Sequence, residues 1–332
     1  MKGPLISIIT PTFNHEPFIA ECIESVLNQT YPLWEMIILD DGSTDHTSDV
    51  IMRYRDSRIT YIRKDHRGIA YLGDNYNHAV NIAQGELLVI LEGDDYIPPK
   101  RLEIQQSAFV DPQIVLSHGK YAYAFDRKKI VYPSPFKRDD LRNRPVGSAL
   151  RIFLQGFNPI GTQSVMVKKS ALLEIGGFTQ PEYLPLVDYP TWMKLALRGP
   201  FEYIPELLGY WRRHPSSITI NQNEQILNGF IRYCDEFVLS FDDALRNLQL
   251  TRSVENRGTL AYLALAWSHL SQRNWEEALR LAQESWRRKT TVSWYFQAKM
   301  ILTLLSSYLH LDLPGVFKKA RQSLYAHGTI RY

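Results

Sequence analysis

The chain has 332 residues, 45% hydrophobic and 22% charged, with a formal net charge of +3. That supports a sizeable core and more than one domain, and the modest charge gives no reason to expect a nucleic-acid partner. The two cysteines, Cys22 and Cys234, form no CxxC or Cys/His cluster, which excludes a disulfide framework or a zinc site and fits a reducing compartment.

Leu5–Thr10 is a β-branched strand that stops at Pro11, and Pro17–Asn28 carries Phe18, Ile19, Cys22, Ile23, Val26 and Leu27 at helical spacing. Trp34–Asp40 is a second strand. Ser43, Thr44 and Asp45 suit the N-cap of a helix through Val50 to about Tyr54. A third strand, Ile59–Ile62, and a helix, Tyr76–Gln84, lead to a fourth apolar run between Gly85 and the prolines at 98 and 99. That run reads as a strand buried on both faces, and the alternation predicts a mostly parallel, doubly wound α/β sheet.

After Asp111 the pattern is irregular, with short strands at Ile114–Ser117 and Gln163–Val167. A helix at Asp188–Leu197 and a strand at Phe201–Ile204 close the body near Ser217. The expected domains are 1–220 and an all-α 221–332. In the second, Gly258–Gln272 and Trp275–Arg288, capped by Asn274, resemble one tetratricopeptide-type hairpin. A hairpin cannot bury its own face, so helices at Val292–Leu311 and Pro314–Ala326 are expected to pack on it. With no second copy of the hairpin, a plain helical extension is the simpler account. From Arg246 onward there are thirteen Lys and Arg against five Asp and Glu, a basic tail on an acidic body. Met1-Lys2-Gly3-Pro4 leads straight into a strand, so no signal peptide is expected. Met300–Leu313 is too short to span a bilayer, and a soluble, cytoplasmic protein is the expectation.

Several segments can carry chemistry. Strand four ends on Glu92-Gly93-Asp94-Asp95, where open α/β sheets place ligands. Locally this is either a site for a hard cation such as Mg²⁺ or Mn²⁺ or an acidic turn capping the next helix. Thr10-Pro11-Thr12-Phe13-Asn14 is a turn or a pocket lining. Asp40-Asp41-Gly42-Ser43 is a helix cap with surplus carboxylates or a nucleoside-binding edge. Asp188 is an N-cap or a catalytic carboxylate. Tyr210-Trp211-Arg212-Arg213-His214 supplies cations for an oxyanion or forms a solvated basic turn. No GxGxxG or GxxxxGK[ST] occurs, which weakens dehydrogenase and phosphate-loop kinase readings.

Taken in order, these segments resemble the family 2 nucleotide-sugar glycosyltransferases of the GT-A fold. The resemblance runs from Ile6 to about Thr219. It rests on Ser7–Asn14, Ser25-Val-Leu-Asn-Gln-Thr-Tyr31, Asp40–Asp45, Gly85–Asp95, Gly176-Gly-Phe178, Asp188 with Trp192, and Tyr210–His214. It implies that Thr10, Pro11, Thr12, Asn14, Asp41, Asn77, Asp94 and Arg212 bind the nucleotide, with Asp41 facing the base. It further implies that Asp95 and His214 hold Mn²⁺ or Mg²⁺ and that Asp188 is the general base. The chain departs from the family at Glu92, usually Asp, and at Val187, usually acidic. Tyr76-Asn77 stands where Arg-Asn is common, so a phosphate-contacting arginine is either missing or replaced by Arg67. No QxxRW motif follows, which argues against a processive membrane synthase.

The expectation is a metal-dependent inverting transferase that moves a sugar from a nucleoside diphosphate sugar, UDP first, to a glycan or lipid-linked hydroxyl. The basic tail either makes peripheral contact with an anionic membrane or docks on the acidic body or a partner subunit. A catalytically inactive GT-A-like module acting through its helices is the alternative. A sugar-phosphate nucleotidyltransferase would need a Gly-rich basic loop, which residues 10–15 lack.

Overall fold

A computed structural model describes residues 3–125, 128–130, 141–221, 223–288 and 294–311. The chain divides into two units, Met1–Leu150 with Asn158–Asn221, and Arg151–Phe157 with Gln222–Tyr332.

The described residues of the first unit form eight strands. They are β1 (Ile6–Thr12), β2 (Trp34–Asp40), β3 (Ile59–Arg63), β4 (Leu87–Ile90), β5 (Leu116–Phe125), β6 (Lys128–Ile130), β7 (Met166–Lys168) and β8 (Phe201–Arg212). The order is β3-β2-β1-β4-β7-β5-β6, with β8 pairing β5. β3, β2, β1 and β4 are parallel, β7 runs against β4 and β5, and β8 is parallel to β5. Every residue of β1 and β4 is buried, which explains why they read as continuous apolar runs. Ile6, Ile8, Met36, Ile38, Leu87 and Val89 pack with Ile19, Cys22, Ile23 and Val26 of helix α1 (Ile19–Leu27). The α/β class and the helical C-terminal region expected from sequence are both present.

Several boundaries differ from the sequence expectation. β1 continues through Pro11 because Pro11 lies beyond Ile9↔Ile90, the last register pair with β4, so its missing N–H breaks no ladder bond there. β8 runs to Arg212 although it contains Pro205. Its partner residues jump from Ile204↔Gly119 to Leu207↔Lys120, and the proline sits in that bulge. Helix α2 is only Thr47–Ile51. Of the three cap candidates, Asp45 Oδ1 accepts the Thr47 N–H at 3.0 Å, while Ser43 turns back to Asp40. Helix α3 begins early, at Leu72, and runs to Ile82.

The second unit contains helices Asn223–Asn247 (bent at Phe241), Thr251–Glu255, Thr259–Ser271, Trp275–Arg287 and Trp294–Leu309. Asn274 Oδ1 accepts the Glu277 N–H at 3.4 Å, as its cap position requires. Leu265 and Ala266 pack on Leu281 and Ala282. Residues 151–157 join this unit rather than the preceding chain. Leu154 O accepts the Gly258 N–H and Gln155 O the Leu260 N–H, each at 2.7 Å. The helix expected at Pro314–Ala326 lies outside the described residues. No helix among the described residues is long and apolar enough to cross a membrane.

Candidate active site

The carboxyl ends of β1, β2 and β4 meet along one edge of the sheet. The turn after β4 is held tightly. Gly93 N–H donates to Pro11 O at 3.1 Å, and a Cβ on Gly93 would fall 2.6 Å from Thr12 Oγ1. Gln29 braces the other side, donating to Pro98 O and accepting the Leu102 N–H, so the Ser25–Tyr31 segment scaffolds the acidic turn.

Glu92, Asp94 and Asp95 each place a carboxylate oxygen within 4.8 Å of the other two. The Tyr76 hydroxyl donates to Glu92 Oε1 at 3.1 Å. Burial, then the charges of Asp94 and Asp188, push the Glu92 carboxyl up to about 8. Burial works against charge on Asp94 too. His15 and the hydrogen bond from His214 outweigh it and hold Asp94 below the ordinary carboxylate value. Asp95 Oδ1 accepts the Arg212 backbone N–H at 2.8 Å. Burial, Asp94 and Glu92 push its carboxyl well upward, and Oδ2 is buried without a hydrogen-bond partner. The adjacent Gln163 amide favours the charge, yet its own Oε1 is also unpartnered. Three crowded carboxylates with an orphaned buried oxygen fit a hard divalent cation, which would relieve both the repulsion and the missing donor.

Asp41, at the end of β2, faces a loop that donates to it. Gly68 N–H reaches Oδ2 at 2.9 Å, the Arg67 N–H lies 3.3 Å away, Asn75 Nδ2 reaches Oδ1 at 3.1 Å, and His66 Nδ1 lies 2.9 Å from Oδ2. Phe13 stacks on the His66 ring at 4.2 Å and keeps one face open. Asp40 is fully buried and structural, accepting from Ser43 and the Tyr61 hydroxyl.

Asp188 opens the helix Asp188–Ala196. Its Oδ2 accepts from Asn158 Nδ2 at 2.7 Å and Thr162 Oγ1 at 3.0 Å, and Oδ1 accepts the Tyr189 N–H. Burial raises its pKa, against these donors. Asp188 and Glu92 are close enough for the charge of Asp188 to raise Glu92.

The other residues marked in the sequence divide clearly. Thr10 is fully buried with an unpartnered hydroxyl, and Thr12 Oγ1 meets His15 Nδ1 at 3.1 Å. Asn14, at positive φ, accepts the Thr44 N–H at 2.8 Å and so clamps the loop after β2. Asn77 spends both ends of its amide on the Phe178 backbone, at 2.9 and 2.7 Å. The amide that reaches Asp41 is Asn75. Arg212 donates to Asp94 O and Glu21, and lies over Phe18 and Tyr96. His214 directs Nε2 to Asp94 Oδ2 and Nδ1 to Ser216 Oγ, standing beside the carboxylate group as the partner of Asp94. Arg67 pairs with Asp74 and lies over Tyr71. Sequence reasoning did not pick out Asn75 or His15, and it marked Tyr76 only as a departure from Arg, not as the donor to Glu92. The signal for His15 was its place one residue beyond the Thr10–Asn14 segment.

A mostly parallel α/β sheet with an acidic turn at its carboxyl edge and a separate buried carboxylate is the arrangement of a GT-A type glycosyltransferase. The model of glycosyl transferase family 2 matches residues 7–171. The chain belongs to that family. An Escherichia coli relative, the UDP-Glc:alpha-D-GlcNAc-diphosphoundecaprenol beta-1,3-glucosyltransferase WfaP, is 28% identical over 225 residues, covering 67% of this chain and 83% of that one. The fold matches S. aureus TarS 1–349 with a TM-score of 0.62 at 21% identity, over 91% of this chain and 90% of that one. It also matches the Pyrobaculum calidifontis mannosyltransferase PcManGT, solved with GDP-Man and Mn²⁺, at 0.57 and 18% identity, over 97% and 84%.

Proposed function

We propose that this glycosyltransferase moves a sugar, with inversion, from a UDP-sugar to a hydroxyl of a glycan or lipid-linked acceptor, and that it requires a divalent cation. The observation that carries the proposal is the juxtaposition of two unlike acidic sites: the crowded Glu92, Asp94 and Asp95 group and the separately hydrogen-bonded Asp188. WfaP, named for a UDP-glucose donor and a diphosphoundecaprenol acceptor, supports the donor and acceptor classes. Peripheral membrane contact through the basic C-terminal region belongs to the same proposal. Co-sedimentation with acidic but not neutral vesicles checks it.

In this scheme Asp41 receives the nucleobase, presented by Gly68, Asn75 and His66, with Phe13 at the rim. Asp94 and Asp95, with Glu92, would hold the cation, which would neutralise the leaving diphosphate. Asp188 takes the acceptor O–H proton as the acceptor oxygen bonds to the anomeric carbon. The bond from that carbon to the phosphate oxygen breaks, and its electron pair leaves with the diphosphate. One base opposite the leaving group inverts the centre. Asn158 and Thr162 aim the carboxylate and favour its charged form.

The test is nucleoside diphosphate release from UDP-, GDP- and dTDP-sugars with and without Mn²⁺. Cation-dependent turnover of a UDP-sugar that is lost in Asp95→Ala is expected. Turnover unaffected by Asp95→Ala and by Asp188→Asn would overturn the assignment.

A further inference from the structure

The chemistry above leaves unused a row of aromatic rings on β5 and β8. Alternate residues of β5, Tyr121, Tyr123 and Phe125, share one face, and Trp211 of β8 stands in register opposite Tyr123. Ring centroids lie 5.6 Å apart for Tyr121–Tyr123 and 6.3 Å for Tyr123–Phe125. They lie 5.2 Å apart for Tyr123–Trp211 and 6.1 Å for Tyr121–Trp211. The Arg213 guanidinium covers Trp211 at 4.9 Å and Tyr123 at 5.8 Å, anchored on Thr219.

The row has a direction. At its inner end Tyr121 presses on Gly161, where a Cβ would fall 2.5 Å from its ring, so only glycine allows the approach. The next residue, Thr162, donates to Asp188, and the charge of Asp188 reaches the Tyr121 hydroxyl. At its outer end Phe125 is 39% exposed, and the rings between are half-buried. Cross-strand packing accounts for the Tyr123/Trp211 pair. It accounts neither for an exposed phenylalanine continuing the row nor for a row that leads to the base. A pyranose ring has a face of polarised C–H groups and a rim of hydroxyls. The rings, one pair stacked and the others tilted or edge-on, offer electron-rich surface that suits the first, and the Arg213 guanidinium lying over two of them suits the second.

We propose that Tyr121, Tyr123, Trp211 and Phe125 form the acceptor subsite, stacking a pyranose unit so that its hydroxyl is presented to Asp188. The proposal rests on Asp188 being the base, but saccharide binding can be read without donor or turnover. The probes are p-nitrophenyl pyranosides of the gluco, galacto, manno and N-acetylglucosamine series, titrated into the full chain by saturation-transfer NMR. Saturation of the sugar C–H protons is expected for at least one probe. Trp211→Ala and Phe125→Ala should each weaken it by about tenfold, with Trp211→Phe retaining it. Phe125 is exposed at a strand end, so its variant tests the idea even where Trp211→Ala fails to fold. Calorimetry with UDP and Mn²⁺ reads the donor site separately and should give the same affinity in all three variants. No probe binding to a chain that binds UDP overturns the subsite and spares the donor reading. Probe binding unchanged in Phe125→Ala and Trp211→Ala overturns it as well.

Discussion

His214 Nε2 and Asp94 Oδ2 stand 2.9 Å apart although 120 residues separate them in the chain. With the Arg212 N–H bonded to Asp95 Oδ1, this contact ties the end of β8 to the turn after β4. The acidic turn is thus positioned from two sides, by β8 and by Gln29. His214 also helps keep Asp94 charged within a group where burial and repulsion favour protonation. His214→Ala should therefore weaken Mn²⁺-dependent UDP binding by about 10- to 100-fold, the range seen when partners of metal ligands are removed. Calorimetry against Mn²⁺ and UDP checks this, and an unchanged affinity would mean that the contact only trims the loop.

Asp188 carries a prediction in pH. The proposed base works deprotonated, and burial raises its pKa above the ordinary aspartate value. The acid limb of kcat should accordingly lie above that value. Asn158→Ala removes a donor that favours the charged form, so it should move the limb further toward alkaline pH. Asp188→Asn should lower kcat by roughly 10²–10⁴-fold while nucleotide affinity persists. A limb that stays put in Asn158→Ala would assign the proton transfer to another group.

The proposed nucleobase edge around Asp41 depends on a backbone position. Gly42 has φ +74, and a Cβ there would fall 2.7 Å from the His66 backbone nitrogen. Gly42→Ala should cost about 1–3 kcal/mol and push away the 66–68 loop whose N–H groups hold Asp41. Urea denaturation measures the first effect. Asn75→Ala leaves the loop in place but removes a buried donor to Asp41, so weaker UDP binding by about tenfold with a smaller loss of stability is expected.

Much of this architecture was legible because β1, β2 and β4 are covered on both faces, and β2 and β4 end abruptly on carboxylates. Asp41, Asp94, Asp95 and Asp188 stand out for the same reason, since a carboxylate at a buried strand or helix end requires a partner. Asn14 and Asn77 show where that logic stops. An amide that binds a ligand and an amide that clamps its own chain look alike in sequence, and these two clamp Thr44 and Phe178. Tyr76 and Asn75 hid their roles for a complementary reason. They lie on α3, where helical periodicity says only that they face inward, and nothing local shows that Glu92 and Asp41 wait there. Pro205 concealed the rest of β8 because a bulge is a property of the register between two strands. Likewise, the assignment of residues 151–157 to the helical unit needed the bonds of Leu154 and Gln155 to distant N–H groups.

His118 fixes the sign of one stability effect. It is 1% exposed on β5, its Nε2–H donates to Leu141 O at 2.7 Å, and the Tyr203 ring lies 5.4 Å away. Burial lowers its pKa from 6.5 to about 4. Between those values the unfolded chain binds a proton that the folded chain refuses, so stability from this group is full above pH 6.5 and lost as the pH falls toward 4. The loss amounts to about 3 kcal/mol over the window and about 2 kcal/mol by pH 5. Glu92, Asp95 and Asp188, whose carboxyls are raised, act in the opposite sense, because the folded state binds their protons more tightly. The comparison is therefore between the wild type and His118→Gln, which keeps a neutral donor near Leu141. Urea denaturation at pH 7 and pH 5 should show the wild type losing about 2 kcal/mol more than the variant. Equal losses in the two chains would mean that His118 gains its proton without unfolding.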